Sequence, residues 1–204
     1  MNLHIKHNEH VFIAGMTQSG KTFLAKEYLR NVDQQVFVLD TKGLFSWNME
    51  DEIIINHLSE LPKQKDFKKV IYRPVWQELE PEFYDSFFKF CMMRGNCIVV
   101  VDEAMQVCPN YARLPDWYKG ILTRGMELGV SVWSLSQRPA KIPLEILSES
   151  THYFIFRLNI KQDRERIIDY TGYENFIEIP EQYSFWYFNT VKAEEPVKAK
   201  FIIK

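Results

Sequence analysis

Short, mostly apolar runs alternate with stretches of helical periodicity along most of the chain. The runs are Val11–Ala14, Gln35–Leu39, Val70–Tyr72, Cys97–Val101 and Val130–Ser136. Continuous apolar strands are typical of parallel sheets that are buried on both faces. Their alternation with helices is typical of βαβ units. The pattern therefore predicts an α/β fold with a mainly parallel sheet and helices on both faces.

Helical periodicity follows most of these strands. The predicted helices are Thr22–Arg30, Glu82–Met93, Trp117–Leu128, Leu144–Ser148 and Lys161–Tyr170. In the first helix, the spacing places Phe23, Leu24, Tyr28 and Leu29 on one apolar face.

The C-terminal part of the chain has a different pattern. Residues from about 175 to 204 are predicted to form a small β appendage, with strands at Tyr183–Asn189 and Phe201–Ile203. Because 204 residues suit one α/β domain of ordinary size, we expect a single domain with a core from about residue 10 to residue 160.

A glycine-rich stretch lies between the first strand and the first helix. It fits G-x-x-x-x-G-K-[ST] in full, and its residues are Gly15, Met16, Thr17, Gln18, Ser19, Gly20, Lys21 and Thr22. Glycines let successive backbone N–H groups face an anion, and the helix N-terminus adds partial positive charge. In such a loop the lysine reaches the β- and γ-phosphates, and the threonine hydroxyl holds Mg²⁺. The stretch therefore predicts binding of ATP and Mg²⁺.

Polar residues follow two of the other buried strands. Asp102 and Glu103 come directly after Cys97–Val101, and Gln137 comes after Val130–Ser136. Since ligands bind beyond the carboxyl ends of parallel strands, these side chains are expected near the phosphate loop. Asp102 fits a residue that holds Mg²⁺, and Glu103 fits the base that polarises the attacking water. Gln137 is expected to contact the γ-phosphate or that water, and an ordinary polar turn is the alternative.

Composition narrows the class of protein. The net charge of −2 excludes a general positive field for coating DNA, although a few local basic contacts remain compatible with it. The three cysteines have no C-x-x-C spacing, so a zinc site is not expected. No apolar window is long enough to span a membrane, and the N-terminus lacks a signal-peptide pattern. We therefore expect a soluble, intracellular protein.

Three stretches together resemble the FtsK–HerA superfamily of DNA-pumping ATPases: GMTQSGKT, VVVDE and LTRGMELGVSVWSLSQRP. The sequence DTKG at residues 40–43 also resembles that family's loop after the second strand. The likeness covers Val11–Leu158. Because the chain is little more than the motor core, it is most similar to the genome-packaging NTPases of archaeal turreted icosahedral viruses.

The resemblance implies an ATPase that moves double-stranded DNA into a preformed capsid. It implies a homo-oligomeric ring, hexameric or pentameric, located in the host cytoplasm or at the virion vertex, with capsid or capsid-membrane proteins as partners. It also implies that the strand ending at Gln137 lies between the phosphate-loop strand and the Asp102 strand. An arginine finger from the neighbouring subunit is expected, and Arg124 matches best, with Arg73 and Arg94 as competitors.

DNA contacts are expected from basic residues that bind phosphates without reading sequence. The candidates are Lys42, Arg113 in the predicted loop 105–115, and Lys119. Alternative functions are a cellular DNA pump of the HerA or FtsK type and a small-molecule kinase, which would not need Glu103 or Gln137. A GTPase-like switch is disfavoured because no D-x-x-G follows the acidic strand.

Overall fold

The computed structural model describes residues 4–108 and 113–200. The helices are α1 (Lys21–Leu29), α2 (Pro81–Arg94), α3 (Ala104–Val107), α4 (Asp116–Arg124), α5 (Leu144–Ser148) and α6 (Lys161–Thr171). The strands are β1 (Val11–Ala14), β2 (Gln35–Leu39), β3 (Glu52–Ile55), β4 (Lys69–Tyr72), β5 (Cys97–Val101), β6 (Ser131–Ser136), β7 (His152–Ile155), β8 (Ser184–Asn189) and β9 (Val197–Lys200). Short 3₁₀ turns lie at Leu58–Lys63, Trp76–Glu78, Gly125–Leu128, Pro139–Lys141 and Glu174–Ile177.

In the described residues, all strands belong to one nine-stranded sheet with the order β3-β4-β2-β5-β6-β1-β7-β8-β9. Neighbouring strands from β3 through β7 pair in parallel, while β8 and β9 pair antiparallel. The predicted α/β class with a mainly parallel sheet is confirmed. So is the position of β6 between β1 and β5, which the resemblance implied.

Both faces of the sheet are covered, because successive side chains of a strand point to opposite sides. In β1, Phe12 joins the apolar cluster under α2, α4 and α6, whereas Ile13 joins the cluster under α1. On the first face Phe88 of α2 stacks on Tyr118 of α4, with ring centroids 4.4 Å apart. This double covering explains why the central strands β1, β2 and β5 are almost entirely apolar.

Two details of the helices differ from the sequence prediction. Phe23 is 45% exposed rather than buried, whereas α1 buries Leu24, Ala25 and Leu29. The predicted loop 105–115 begins inside helix α3, and residues 109–112 lie outside the described part.

The C-terminal strands are joined to the main sheet. β8 pairs with β7, and β9 pairs with β8, so the C-terminal β appendage continues the main sheet. The aromatic run Phe185–Phe188 in β8 is buried. The strand predicted at Phe201–Ile203 lies outside the described residues. Among the described helices, none combines the length and apolar character needed to cross a bilayer.

Candidate nucleotide-binding site

The phosphate loop connects β1 to α1 in a conformation that requires glycine at its start. A Cβ atom on Gly15 would lie 2.5 Å from the Ser19 hydroxyl oxygen and 2.6 Å from Phe156 Cβ. The backbone N–H of Gly15 donates to the Ser136 carbonyl, which ties the loop to the end of β6. Gly20, directly before α1, has a φ of 112°. The loop therefore turns tightly around a space that opens at the N-terminus of α1.

The Lys21 side chain is buried inside this loop. Its ammonium donates to the carbonyl oxygens of Gly15 at 2.6 Å and Met16 at 3.0 Å. Burial lowers the pKa of Lys21 to about 8, an effect that the nearby carboxylates of Glu103 and Asp102 partly oppose. The loop thus holds a cation at the position where a phosphate chain would bind.

Thr22 and Asp102 meet across the carboxyl edge of the sheet. The Thr22 hydroxyl donates to Asp102 Oδ1 at 3.2 Å. Burial raises the pKa of Asp102, and Lys42 partly opposes that rise. Across the described residues no cluster of three or more His, Cys, Asp or Glu side chains could hold a metal. One carboxylate and one hydroxyl nevertheless fit Mg²⁺, because this ion takes oxygen ligands and usually completes its shell with phosphates and water.

Glu103 is 2% exposed, and both of its carboxylate oxygens have partners. Oε1 accepts from the backbone N–H of Gln137 at 3.2 Å, and Oε2 accepts from the Lys42 ammonium at 2.7 Å. The side-chain oxygen of Gln137 accepts from the Thr17 hydroxyl at 3.0 Å. Gln137 therefore touches the phosphate loop with its side chain and Glu103 with its backbone.

A pocket of about 310 Å³ opens beside the loop, lined by Gln18–Thr22, Phe23 and Tyr183. Tyr183, just before β8, was missed from sequence because no motif or spacing links it to the loop. The buried hydroxyl of Ser19 has no hydrogen-bond partner within the described part of the chain. An unpaired polar atom in a cradle that a Cβ on Gly15 would fill fits a bound phosphate chain.

Asp40 shapes the segment that carries Lys42. Its buried carboxylate accepts from the backbone N–H groups of Gly43, Leu44 and Phe45. Arg73 donates to the same carboxylate at 3.0 Å and to the Phe45 carbonyl. Arg73 is thus engaged within its own subunit, which makes it a weaker candidate for an arginine finger than the sequence suggested.

Arg124 lies at the opposite edge of the sheet from the phosphate loop. It is exposed at the end of α4, and the next residue, Gly125, accepts from the Val130 N–H at 2.8 Å just before β6, whereas Gln137 follows the last residue of β6. Six strand residues at about 3.3 Å each separate these edges by roughly 17 Å or more. Arg124 therefore cannot contact the nucleotide site of its own subunit, and its role as a finger stays a prediction.

The residues predicted to contact DNA have different surroundings. Lys42 is paired with Glu103, while Lys119 pairs with Glu145 at 3.0 Å and the exposed Arg113 lies 3.7 Å from Asp116. These contacts do not test DNA binding, so the three DNA contacts stay predictions.

The fold and the loop define the class: the chain has the fold of a P-loop NTPase. No protein-family profile matches it. Among characterised proteins, the DNA packaging ATPase P9 of Enterobacteria phage PRD1 is 28% identical over 167 residues, which cover 78% of this chain and 68% of the phage protein.

Solved structures show the same architecture. The DNA-packaging ATPase B204 from Sulfolobus Turreted Icosahedral Virus matches with a TM-score of 0.81 at 17% identity, covering 98% of this chain and 100% of that chain. The genome packaging NTPase B204 from Sulfolobus turreted icosahedral virus 2, in complex with ATP-gammaS, matches with a TM-score of 0.78 at 15% identity over 98% and 100% of the two chains. At these identities the likeness concerns the fold.

Proposed function

We propose that this protein is an ATP-hydrolysing translocase that packages double-stranded DNA into a preformed capsid. The observation that carries the proposal is the meeting of Lys21, Thr22, Asp102 and Glu103 at one edge of the sheet. A lysine in a phosphate loop, a Thr–Asp pair and a second buried acid are the parts that ATP hydrolysis requires. Similarity to the PRD1 packaging ATPase supports DNA as the substrate that is moved.

ATP binds with its phosphates in the loop at Gly15–Thr22. The Lys21 ammonium, now on the carbonyls of Gly15 and Met16, turns to phosphate oxygens, which are stronger acceptors because they are charged. The first backbone N–H groups of α1 add to this binding. Thr22 and Asp102 would hold Mg²⁺, and the ion would supply positive charge to offset that of the phosphates.

Glu103 is the general base of the proposed hydrolysis. It follows β5 next to Asp102, so its carboxylate can accept a proton from water that attacks the γ-phosphorus. Gln137 connects this base with the nucleotide, since it contacts both Thr17 and Glu103. If the phosphate loop moves when the γ-phosphate leaves, Gln137 would therefore transmit that movement to Glu103.

The position of Arg124 supports completion of the site by a second subunit. An arginine finger at Arg124 would act in the neighbouring subunit, because it lies far from the phosphate loop of its own, and it would therefore need a ring of subunits. An arginine that stabilises the transition state is worth about 10³-fold or more in rate. Isolated subunits should therefore hydrolyse ATP very slowly.

Steady-state ATP hydrolysis at rising protein concentration, with and without double-stranded DNA, tests the proposal. We expect the rate per subunit to rise steeply with concentration and to increase when DNA is added. The variant Glu103→Gln is the control that separates this activity from a contaminating ATPase. A rate that is independent of concentration and of DNA would contradict the translocase and favour a small-molecule kinase.

A further inference from the structure

The contact between Lys42 and Glu103 suggests a control on hydrolysis that the proposed function does not include. The Lys42 ammonium lies 2.7 Å from Glu103 Oε2, and the Lys42 side chain is only 22% exposed. We propose that Lys42 is a positioning residue that restrains Glu103 and keeps hydrolysis slow until the segment at residues 41–44 moves. This inference rests on the proposed role of Glu103 as the general base.

The order of the strands shows from which side Lys42 acts. Lys42 follows β2, Glu103 follows β5 and the phosphate loop follows β1, in a sheet with the order β2-β5-β6-β1. Adjacent strands lie about 4.8 Å apart, so β5 is separated from β1 by roughly 10 Å and β2 by roughly 14 Å. The backbone that carries Lys42 therefore lies on the far side of β5 from the phosphate loop.

The contacts of the carboxylate explain why this restraint would slow catalysis. A general base needs an oxygen directed at the attacking water. Here Oε1 is held by the Gln137 N–H and Oε2 by Lys42. Loss of Lys42 frees Oε2, whereas Gln137 still anchors the other oxygen on the side of the phosphate loop.

Two contacts connect the segment 41–44 to Glu103 and its surroundings, so movement of the segment would change the environment of Glu103. Asp40 fixes its far end through the N–H groups of Gly43 and Leu44. The Thr41 hydroxyl donates to Gln106 Oε1 at 2.5 Å, which joins the segment to α3 directly after Glu103. Leu44 is 80% exposed on the same segment, so a partner that binds there would act on both contacts.

The test is steady-state hydrolysis by Lys42→Met, which keeps the length of the side chain and removes its charge. Without DNA, we expect kcat to rise on the order of tenfold, because one charge-assisted hydrogen bond to the base is lost. KM should stay within about twofold, since Lys42 is not assigned to bind the triphosphate. Lys42→Arg, which keeps the charge, should stay near the wild-type rate, and stimulation by DNA should be smaller in Lys42→Met.

The matched control is Lys161→Met, which removes an exposed lysine that pairs with Glu165 on α6. The double variant Lys42→Met/Glu103→Gln should hydrolyse ATP no faster than Glu103→Gln alone. Loss of the rate increase in this background would show that Lys42 acts through Glu103. If Lys42→Met unfolds at a lower temperature than Lys161→Met, Lys42→Gln replaces it.

The possible failures are distinguishable. A wild-type rate that Glu103→Gln leaves unchanged would overturn the proposed function itself. Where Glu103→Gln is inactive, an unchanged or lower kcat in Lys42→Met would overturn the restraint alone. A lower kcat with a higher KM would also assign Lys42 to the triphosphate.

Discussion

The hydroxyl of Thr22 donates a 3.2 Å hydrogen bond to Asp102 Oδ1, a contact between residues 80 positions apart in the chain. Thr22 lies in the first turn of α1, and Asp102 follows the last residue of β5. One strand, β6, separates β5 from the strand that leads into the phosphate loop. The contact joins the two halves of the proposed Mg²⁺ site.

Removal of the Thr22 hydroxyl should weaken the binding of Mg²⁺ that hydrolysis requires. In Thr22→Ala, the Mg²⁺ concentration for half-maximal hydrolysis should rise at least about tenfold, because one of the oxygen ligands is lost. Thr22→Ser keeps the hydroxyl and should stay close to the wild type. Titration of Mg²⁺ at fixed ATP measures the effect, and equal midpoints for the Ala and Ser variants would exclude Thr22 as a ligand.

Lys21→Ala should bind ATP poorly. Loss of the contact between the Lys21 ammonium and the phosphates should reduce the binding free energy of ATP by about 2 kcal/mol or more. A change of about 2 kcal/mol corresponds to a roughly 30-fold loss of affinity. Lys26→Ala, on the same helix, is the control, because Lys26 lies 6.0 Å from the Phe45 ring rather than in the loop. Calorimetric titration with ATP-gammaS measures the affinity. Ordinary affinity and turnover in Lys21→Ala would contradict the assignment of the phosphate loop.

Glu103→Gln should separate binding from hydrolysis. The amide keeps the shape of the side chain but cannot take a proton, so kcat should fall by about 10²- to 10⁴-fold while ATP still binds. Single-turnover measurement of the γ-phosphate released, with nucleotide binding followed in parallel, tests this. If phosphate release keeps the wild-type rate, another residue is the base.

Mixed rings should reveal an arginine finger that acts between subunits. Arg124→Ala subunits have an intact phosphate loop, and Lys21→Ala subunits have an intact Arg124. In a mixed ring, a site between two different subunits can combine the phosphate loop of an Arg124→Ala subunit with the Arg124 of a Lys21→Ala subunit. Hydrolysis should therefore recover in part. Each variant alone should be nearly inactive. Absence of recovery at every mixing ratio would argue against Arg124 acting in trans.

Stability below neutral pH should depend on His10. His10 is fully buried at the start of β1, and its Nδ1 accepts the Val132 N–H at 2.9 Å. Burial lowers the pKa of His10 to about 4, from 6.5. Between pH 6.5 and about 4, His10 is protonated in the unfolded chain but neutral in the folded protein. The free energy of unfolding therefore decreases as the pH falls from 6.5 toward 4. The loss at pH 4 is about 3 kcal/mol.

The variant His10→Asn isolates this effect. Its side-chain oxygen can replace Nδ1 as the acceptor, yet it does not titrate in this range. Urea unfolding at pH 7, 5.5 and 4 should show a smaller loss of stability for His10→Asn than for the wild type. Parallel profiles for the two proteins would mean that His10 is protonated in the folded state.

The fold class, and the placement of Asp102 near the phosphate loop, were predictable from sequence. The phosphate loop needs only a strand, a glycine-rich turn and a helix in succession, and the position of Asp102 and Glu103 follows from the end of a buried strand. Apolar runs without alternation were enough to predict a sheet covered on both faces. These features depend on residues that are close together in the chain, so a local pattern identifies them.

Tertiary structure alone decided which side chains meet from distant segments. The sequence does not distinguish a lysine after β2 that contacts DNA from one that pairs with an acid. The pairing of β2 with β5 brings Lys42 to Glu103. The same holds for Tyr183, which reaches the phosphate loop because β8 pairs with β7. Strand order results from hydrogen bonds between backbone groups, which carry no mark of the partner strand in the sequence.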